Sequence, residues 1–283
     1  MNIQWYPGHM TKAVRMMQEN IKLVDVIIEL IDARIPMSSR NPDIAKLAAN
    51  KIKVLLLNKY DLADEGKTKE WREYYKNQGY HTALVNSKSG KGVRTVNEVI
   101  MTACKEKIER DRKRGIINRP VRAMIVGIPN VGKSTFINSF AGKACAKTGD
   151  KPGITKGKQW IKLNKNVELL DTPGILWPKF EDNEVGLNLA YIGSINDEIL
   201  QLEELACELI EILRDRYTDK LAEYMGFDLA GKAFELLEKY ALKRGCIAKG
   251  ELPDLSRAAI LFMDDFRGGK ICKVTLEDVP SEV

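Results

Sequence analysis

The stretch RAMIVGIPNVGKSTFINSFAG (122–142) constrains the fold more tightly than any other part of the chain. An apolar run of strand type leads directly into GIPNVGKS, Gly127 to Ser134, which fits the pattern GxxxxGK[ST], and an apolar segment of helical type follows at once. Glycines let such a loop curl until consecutive backbone N–H groups and a helix N-terminus converge on one anion, so the pattern makes a phosphate cradle only when it lies between a strand and a helix. Within this loop Lys133 is expected to reach the outer phosphates of a nucleotide and the Ser134 hydroxyl to ligate Mg²⁺. Asn130, Val131, Gly132 and Thr135 complete the expected binding loop.

The alternation of strand and helix recurs over residues 1–178. VDVIIELIDA, KIKVLLLN, YHTALVN, RAMIVG and VELLDTPG read as buried strands. NPDIAKLAAN, residues 68–77, residues 93–110 and KSTFINSFAG read as helices, preceded by an amphipathic segment from Thr11 to about Val24. Asn41 and Pro42 supply an N-cap and a first helical residue. This order predicts an α/β fold, a mostly parallel sheet with helices on both faces. From about Asn183 the period changes to helical throughout, in NDEILQLEELACELIEILRDR (196–216), DLAGKAFELLEKYALKR and LSRAAILFMDDF. The closing KICKVTLEDV is either a short strand or a tail. The expected division is an α/β domain over residues 1–178 and an all-α domain over 179–283.

No apolar run approaches the roughly 20 residues that span a bilayer, and the N-terminus lacks the features of a signal peptide. The five cysteines (Cys104, Cys145, Cys207, Cys246, Cys272) are scattered, without a CxxC pair. A cytoplasmic protein with reduced thiols and no membrane partner is therefore expected. The net charge of +6 hides an asymmetry: residues 1–178 carry 32 Lys and Arg against 17 Asp and Glu, whereas residues 179–283 carry 13 against 22. The basic part is the one expected to meet a polyanion. Its local clusters are KEKIERDRKRGIINR (105–119) and the stretch from Lys143 to Lys165, where seven lysines meet one acid, Asp150.

Two further motifs define the nucleotide. The run VELL ends in DTPG, Asp171 to Gly174; behind a phosphate loop, Asp171 is placed to hold a magnesium-bound water and the Gly174 N–H to meet a γ-phosphate. Thr155, in KPGITKG, either adds its hydroxyl to Mg²⁺ or is simply a loop residue. NKYD, Asn58 to Asp61, follows the strand KVLLL. A carboxylate at Asp61 accepts hydrogen bonds from the N1–H and 2-amino group of guanine, whereas adenine offers neither, so GTP and GDP are favoured. The Lys59 stem is expected to cover the base and Asn58 to brace the phosphate loop. In NSKSGKG, which begins at Asn86, the backbone around Ser87 and Lys88 is expected to meet the guanine oxygen. The base-reading motifs precede the phosphate loop in the chain, the arrangement of a circularly permuted Ras-like G domain. Such a rearrangement is feasible because domain termini commonly lie close together. The old ends would be joined through the basic segment from about Lys105 to Pro120.

The permuted order, together with WYPGHM, MTKA, DARIP (Asp32 to Pro36), GIPNVGKS and DTPGIL, closely resembles the YlqF/RbgA family of ribosome-assembly GTPases over nearly the whole chain. The resemblance implies a monomeric bacterial protein that binds a late precursor of the large ribosomal subunit, made of rRNA and ribosomal proteins, and hydrolyses GTP there. It also implies that the C-terminal domain is similar to RNA-binding helical modules, although its acidic balance leaves RNA contacts to clusters such as Lys239, Lys243, Arg244 and Lys249. Ras-like enzymes orient the attacking water with a Gln just after DxxG; here that position is Ile175. The family resemblance assigns the role to His9 of PGHM, placed by a Pro7–Gly8 turn, while a docking element of Trp5, Tyr6 and His9 for ribosomal RNA is the other reading. His81 reads as structural. Asn130 resembles the residue that holds K⁺ in potassium-activated GTPases, or else merely shapes the loop. Two rival functions stay open: an RNA-binding scaffold switched by GTP with negligible turnover, and a GTPase acting on a different RNA or protein.

Overall fold

The computed structural model describes residues 8–117, 119–143, 159–172, 176 and 182–281; the side chains of residues 8–10, 12, 13, 159 and 171 are outside that description. The chain separates into two compact units. A sheet unit takes residues 4–179 together with 277–283, and a helical unit is built on residues 180–276.

In chain order the sheet unit contains α1 (Gly8–Asn20), β1 (Val26–Asp32), α2 (Pro42–Leu47), β2 (Ile52–Asn58), α3 (Glu65–Asn77), β3 (His81–Val85), α4 (Thr95–Ala103), α5 (Lys105–Lys113), β4 (Val121–Val126), α6 (Lys133–Ala141), β5 (Gln159–Lys162) and β6 (Val167–Asp171). The strands form one six-stranded sheet in the order β3-β2-β1-β4-β6-β5, parallel except for β5. The expected mostly parallel α/β sheet is therefore present. Every residue of β1 is buried, as in a strand covered on both faces, and the one carboxylate within its apolar run, Glu29, pairs with Arg40 (3.1 Å). Register places Asp32 opposite Asn58 and Asn58 opposite Val85, so the loops after β1, β2 and β3 leave the same edge of the sheet. The carboxyl ends of β4 and β6 lie at that edge too, because both strands run the same way. That edge, at the carboxyl ends of parallel strands, is where open α/β sheets bind ligands.

Local chemistry sets the helix starts. Asn41 caps α2 by accepting from the Asp43 N–H, with Pro42 at the first turn. The helix expected from residue 68 begins instead at Glu65, because Asp64 accepts from the Lys67 N–H and so caps a turn that contains Gly66. The helix expected over 93–110 divides at Cys104 into α4 and α5. β5 was not anticipated; four residues at an edge leave too short a pattern to recognise.

The helical unit contains α7 (Asn183–Tyr191), α8 (Leu202–Arg216), α9 (Thr218–Met225), α10 (Ala233–Lys243) and α11 (Leu255–Arg267). Leu205, Leu209, Leu213, Leu236, Leu237, Phe262 and Met263 bury the apolar faces of α8, α10 and α11. Arg267 closes the end of α7, donating to the Ala190 and Tyr191 carbonyls (2.8 and 3.0 Å) while pairing with Asp197. Residues 270–281 form no helix or strand. The Tyr217 hydroxyl pins them at Thr275 (3.0 Å to both its N and O), and from Glu277 the chain belongs to the sheet unit. Among the described residues no helix is long and apolar enough to cross a membrane, and Cys104, Cys207 and Cys246 are thiols outside any disulfide.

Candidate functional site

The loop after β4 is built on two glycines that no other residue replaces without displacement. Gly127 has φ +151° and an added Cβ would lie 2.5 Å from the Leu30 carbonyl oxygen; Gly132 has φ +99° and its Cβ would lie 2.6 Å from Asn58 Nδ2. Asn130 between them is left-handed at φ +56°, a conformation that costs a non-glycine roughly 1–2 kcal/mol. Lys133, buried at the start of α6, turns back into the loop and its Nζ donates to the carbonyls of Gly127 (3.1 Å) and Ile128 (2.7 Å). Val131 is buried, while Ser134 and Thr135 occupy the first turn of α6, half-buried.

Asn58, at the end of β2, ties this loop to the base-reading motifs. Its Nδ2 donates to the Val131 carbonyl (2.7 Å), and its Oδ1 accepts from the Ser87 N–H (3.0 Å) and Ser87 hydroxyl (2.8 Å). One buried amide therefore holds three loops that are far apart in sequence. The next residue, Lys59, is also left-handed at φ +58°. Its Nζ donates to the Asn130 carbonyl (3.0 Å) and lies 3.0 Å from the Asp32 carboxylate. Asp32 receives Arg34 as well, through Nε to Oδ1 and Nη2 to Oδ2, both 2.9 Å, and neither side chain is exposed by more than 2%. Burial by itself would raise the Asp32 carboxyl, but Arg34 and Lys59 outweigh it and hold the group well below the usual carboxylate range. For Lys59 burial wins and lowers the ammonium below its ordinary value, against the opposing pull of Asp32. Asp61 follows in a turn closed by Leu62 N–H to Lys59 O (2.9 Å), and is half-buried.

In NSKSGKG the side chain of Asn86 accepts from the Lys88 N–H (3.0 Å) and Ser89 N–H (2.9 Å), which folds the loop back on itself. Both backbone donors expected to meet the base, at Ser87 and Lys88, thus have internal acceptors in this structure, Asn58 and Asn86. Gly92 is required where the loop returns, since a Cβ there would lie 2.1 Å from the Leu84 carbonyl. A depression lined by Ser89, Gly90, Lys91, Arg94, Ser139 and Phe140 separates this loop from the end of α6.

Asp171 ends β6, and the Thr172 hydroxyl after it donates to the Ile125 carbonyl (2.5 Å), tying the end of β6 to the phosphate-loop strand. Ser134 at the start of α6 and Asp171 at the end of β6 stand at one sheet edge, and hydroxyl and carboxylate oxygens are the hard donors that Mg²⁺ takes, so these residue types fit that ion. Thr155, Gly174 and Ile175 lie outside the described residues, as do Trp5 and Tyr6. α1 begins at Gly8, which puts His9 in its first helical turn and not in a turn ahead of it. His81 opens β3 and is exposed.

Asp32 and Arg34 stand in the DARIP motif, which the sequence marks as a family feature without giving either residue a role at the site. Glu277 has no motif to mark it. That carboxylate accepts from the Met37 N–H (2.6 Å), the Ser38 N–H (2.8 Å) and the Ser38 hydroxyl, and its carbonyl accepts from Trp71 Nε1 (3.2 Å).

Comparison with known proteins places these features in a family. A family model described as a 50S ribosome-binding GTPase matches residues 122–237. Ribosome biogenesis GTPase A of Bacillus cereus is 46% identical over 278 residues, covering 98% of this chain and 94% of that protein. The crystal structure of GNP-bound YlqF from T. maritima aligns with a TM-score of 0.66 at 30% identity, covering 94% of this chain and 98% of that one. A GDP-bound YlqF structure aligns with a TM-score of 0.67, also at 30% identity, covering 93% and 99%. With the phosphate loop and the base-reading motif joined through Asn58, and with relatives this similar along almost its whole length, the chain belongs to the ribosome biogenesis GTPase A family.

Proposed function

We propose that this protein is a circularly permuted GTPase that binds a late precursor of the large ribosomal subunit and hydrolyses GTP there as the subunit matures. The observation that carries the nucleotide part is the bridge made by Asn58 and Lys59 between the NKYD motif and the phosphate loop, which makes one site of motifs in reversed chain order. The ribosomal part rests on the family, whose members are named for ribosome biogenesis.

In this reading Asp61 accepts from the guanine N1–H and 2-amino groups, and the Lys59 stem covers the base. The Lys88 N–H reaches the guanine oxygen by leaving or sharing Asn86. The loop from Asn130 to Thr135 surrounds the phosphates, and Lys133 exchanges its loop carbonyls for phosphate oxygens, neutralising charge that builds up during transfer. Ser134, Thr155 and Asp171, the last through water, would hold Mg²⁺, which when bound supplies further positive charge to the phosphates. Asn130 would take K⁺ in the same region. Gly174 offers its N–H to the γ-phosphate. With Ile175 unable to orient water, His9 is the residue assigned to position the attacking water once the ribosomal partner is bound. Division into a G domain (1–178) and a ribosome-contacting helical domain (179–283) completes the reading. The protein acts as a monomer in the cytoplasm.

The test is steady-state GTP hydrolysis in KCl with and without large ribosomal subunits from the same organism, for the parent chain and His9→Ala. Stimulation of the parent by on the order of tenfold or more, lost in His9→Ala, is expected. Unstimulated turnover with nucleotide binding intact favours a different partner, and negligible turnover under every condition favours a GTP-switched scaffold.

A further inference from the structure

We propose that Asp32 is a positioning residue of the guanine site, acting through Lys59: it holds the lysine ammonium on the phosphate loop and away from Asp61. The inference rests on the guanine-nucleotide reading above and adds to it a residue outside the nucleotide-binding motifs.

The geometry is direct. The Asp32 carboxylate is wholly buried and receives Arg34 on both oxygens, an arrangement that fixes its orientation. Arg34 N–H also donates to Oδ1 (3.1 Å), and Asp32 N–H donates to the Ser39 hydroxyl (3.1 Å), so the carboxylate cannot swing. Lys59 Nζ then sits between this fixed anion and the Asn130 carbonyl, each 3.0 Å away. Asp61, two residues on in the same turn, is the other carboxylate whose charge acts on this ammonium, more weakly than that of Asp32. Without a stronger anion to compete for it, Lys59 would pair with Asp61 and occupy the acceptor that reads guanine. Asp32 is that anion. It competes for the lysine from a rigid, desolvated position, where a charge interaction is stronger than at the surface.

The loop that carries Arg34 is itself held at its far end. Glu277 accepts from the N–H groups of Met37 and Ser38, Asp278 pairs with Lys67 (2.5 Å), and Val279 packs on the cluster of Ile31, Ala33, Leu55, Leu57, Ala63, Trp71 and Tyr75. These apolar residues flank Asp32 on one strand and the NKYD turn on the next, with Ala33 N–H donating to the Asn58 carbonyl (2.9 Å). The anchor and the base-reading turn therefore share one rigid support.

The experiment measures release of fluorescent mant-GDP from the full chain in Mg²⁺ buffer, and competition by GDP and IDP, for the parent, Asp32→Asn, Lys59→Met and the double variant. IDP lacks the 2-amino group that Asp61 accepts from. Asp32→Asn is expected to release mant-GDP about ten- to hundredfold faster and to narrow the preference for GDP over IDP, since Lys59 then screens Asp61. In the Lys59→Met background the same substitution is expected to add less than about twofold, because the route through Lys59 is gone. A purely structural ion pair would lower the melting temperature and leave both release rate and GDP:IDP ratio of the folded protein at parent values; that result overturns the inference. So does an effect of Asp32→Asn that persists in full without Lys59. Should Asp32→Asn not fold, Asp32→Glu keeps the charge and displaces it, and parent-like release from that variant overturns the inference equally. A parent chain that fails to hold mant-GDP overturns the guanine reading and this inference together.

Discussion

Asp32 in the sheet unit and Asp265 in the helical unit are both excluded from solvent, and they are used differently. Asp265 takes the Tyr224 hydroxyl (2.7 Å), Lys270 (2.7 Å) and Arg244 (3.0 Å), and its two cationic partners lie partly or largely in solvent. Tyr224 also meets the Tyr240 hydroxyl (2.8 Å), and Tyr240 packs edge-on against Phe262, so the network braces α9, α10 and α11 against one another. Asp32 instead pairs with a buried arginine and with a lysine whose other contact is a loop carbonyl. Lys59 and Asn130, two left-handed non-glycine residues, meet at that contact. Buried charge by itself does not mark a site. Buried charge tied to strained loops at the carboxyl edge of a parallel sheet does.

Breaking each unit separately sharpens this contrast. Phe262→Ala empties the middle of the helical core and is expected to cost about 3–5 kcal/mol of that unit's stability. GDP affinity should stay within about twofold, read by calorimetric melting beside mant-GDP titration. Gly132→Ala should behave in the opposite way. Its Cβ at 2.6 Å from Asn58 Nδ2 pushes apart the joint of the three loops, and GDP affinity is expected to fall on the order of 100-fold while the helical unit melts unchanged. Asp265→Asn removes a charge from its hydrogen-bonded network and should cost about 1–3 kcal/mol without altering nucleotide release.

The smallest effect is in acid. Burial raises the Asp265 carboxyl, but Lys270, Tyr224 and Arg244 outweigh it and hold it below its ordinary value of 3.8. A depressed folded-state value contributes stability above the unfolded value, and that contribution is lost as pH falls below about 3.8 toward the folded value. Melting of the helical unit followed down in pH should therefore show a smaller acid-induced loss in Asp265→Asn than in the parent.

Much of this was legible in the sequence, for identifiable reasons. The parallel sheet followed from apolar runs alternating with helical segments, and the phosphate loop from a glycine pattern that works only between a strand and a helix. Asn58 was readable as a brace because NKYD carries its spacing with it. What could not be read were contacts set by tertiary approach. Asp32 and Arg34 are a pair whose importance depends on a lysine 27 residues downstream, one residue beyond the Asn58 that register sets opposite Asp32. Glu277 meets Ser38 across 239 residues, in a segment the sequence reads as a short strand or a tail. Asn86 was read with the base contacts, and its hydrogen bonds show it shaping the loop that presents them. The start of α3 was misjudged because Gly66 suppressed the helical signal that the Asp64 cap restores.

The central claim, that the NKYD turn and the phosphate loop form one guanine-selective site, is tested most directly by the equilibrium affinities of GTP and ATP for the full chain and for Asp61→Asn. GTP is expected to bind at least about 100-fold more tightly than ATP to the parent, and Asp61→Asn to lose most of that preference. Equal affinities for the two nucleotides in the parent chain, or a preference for GTP untouched by Asp61→Asn, would contradict the account.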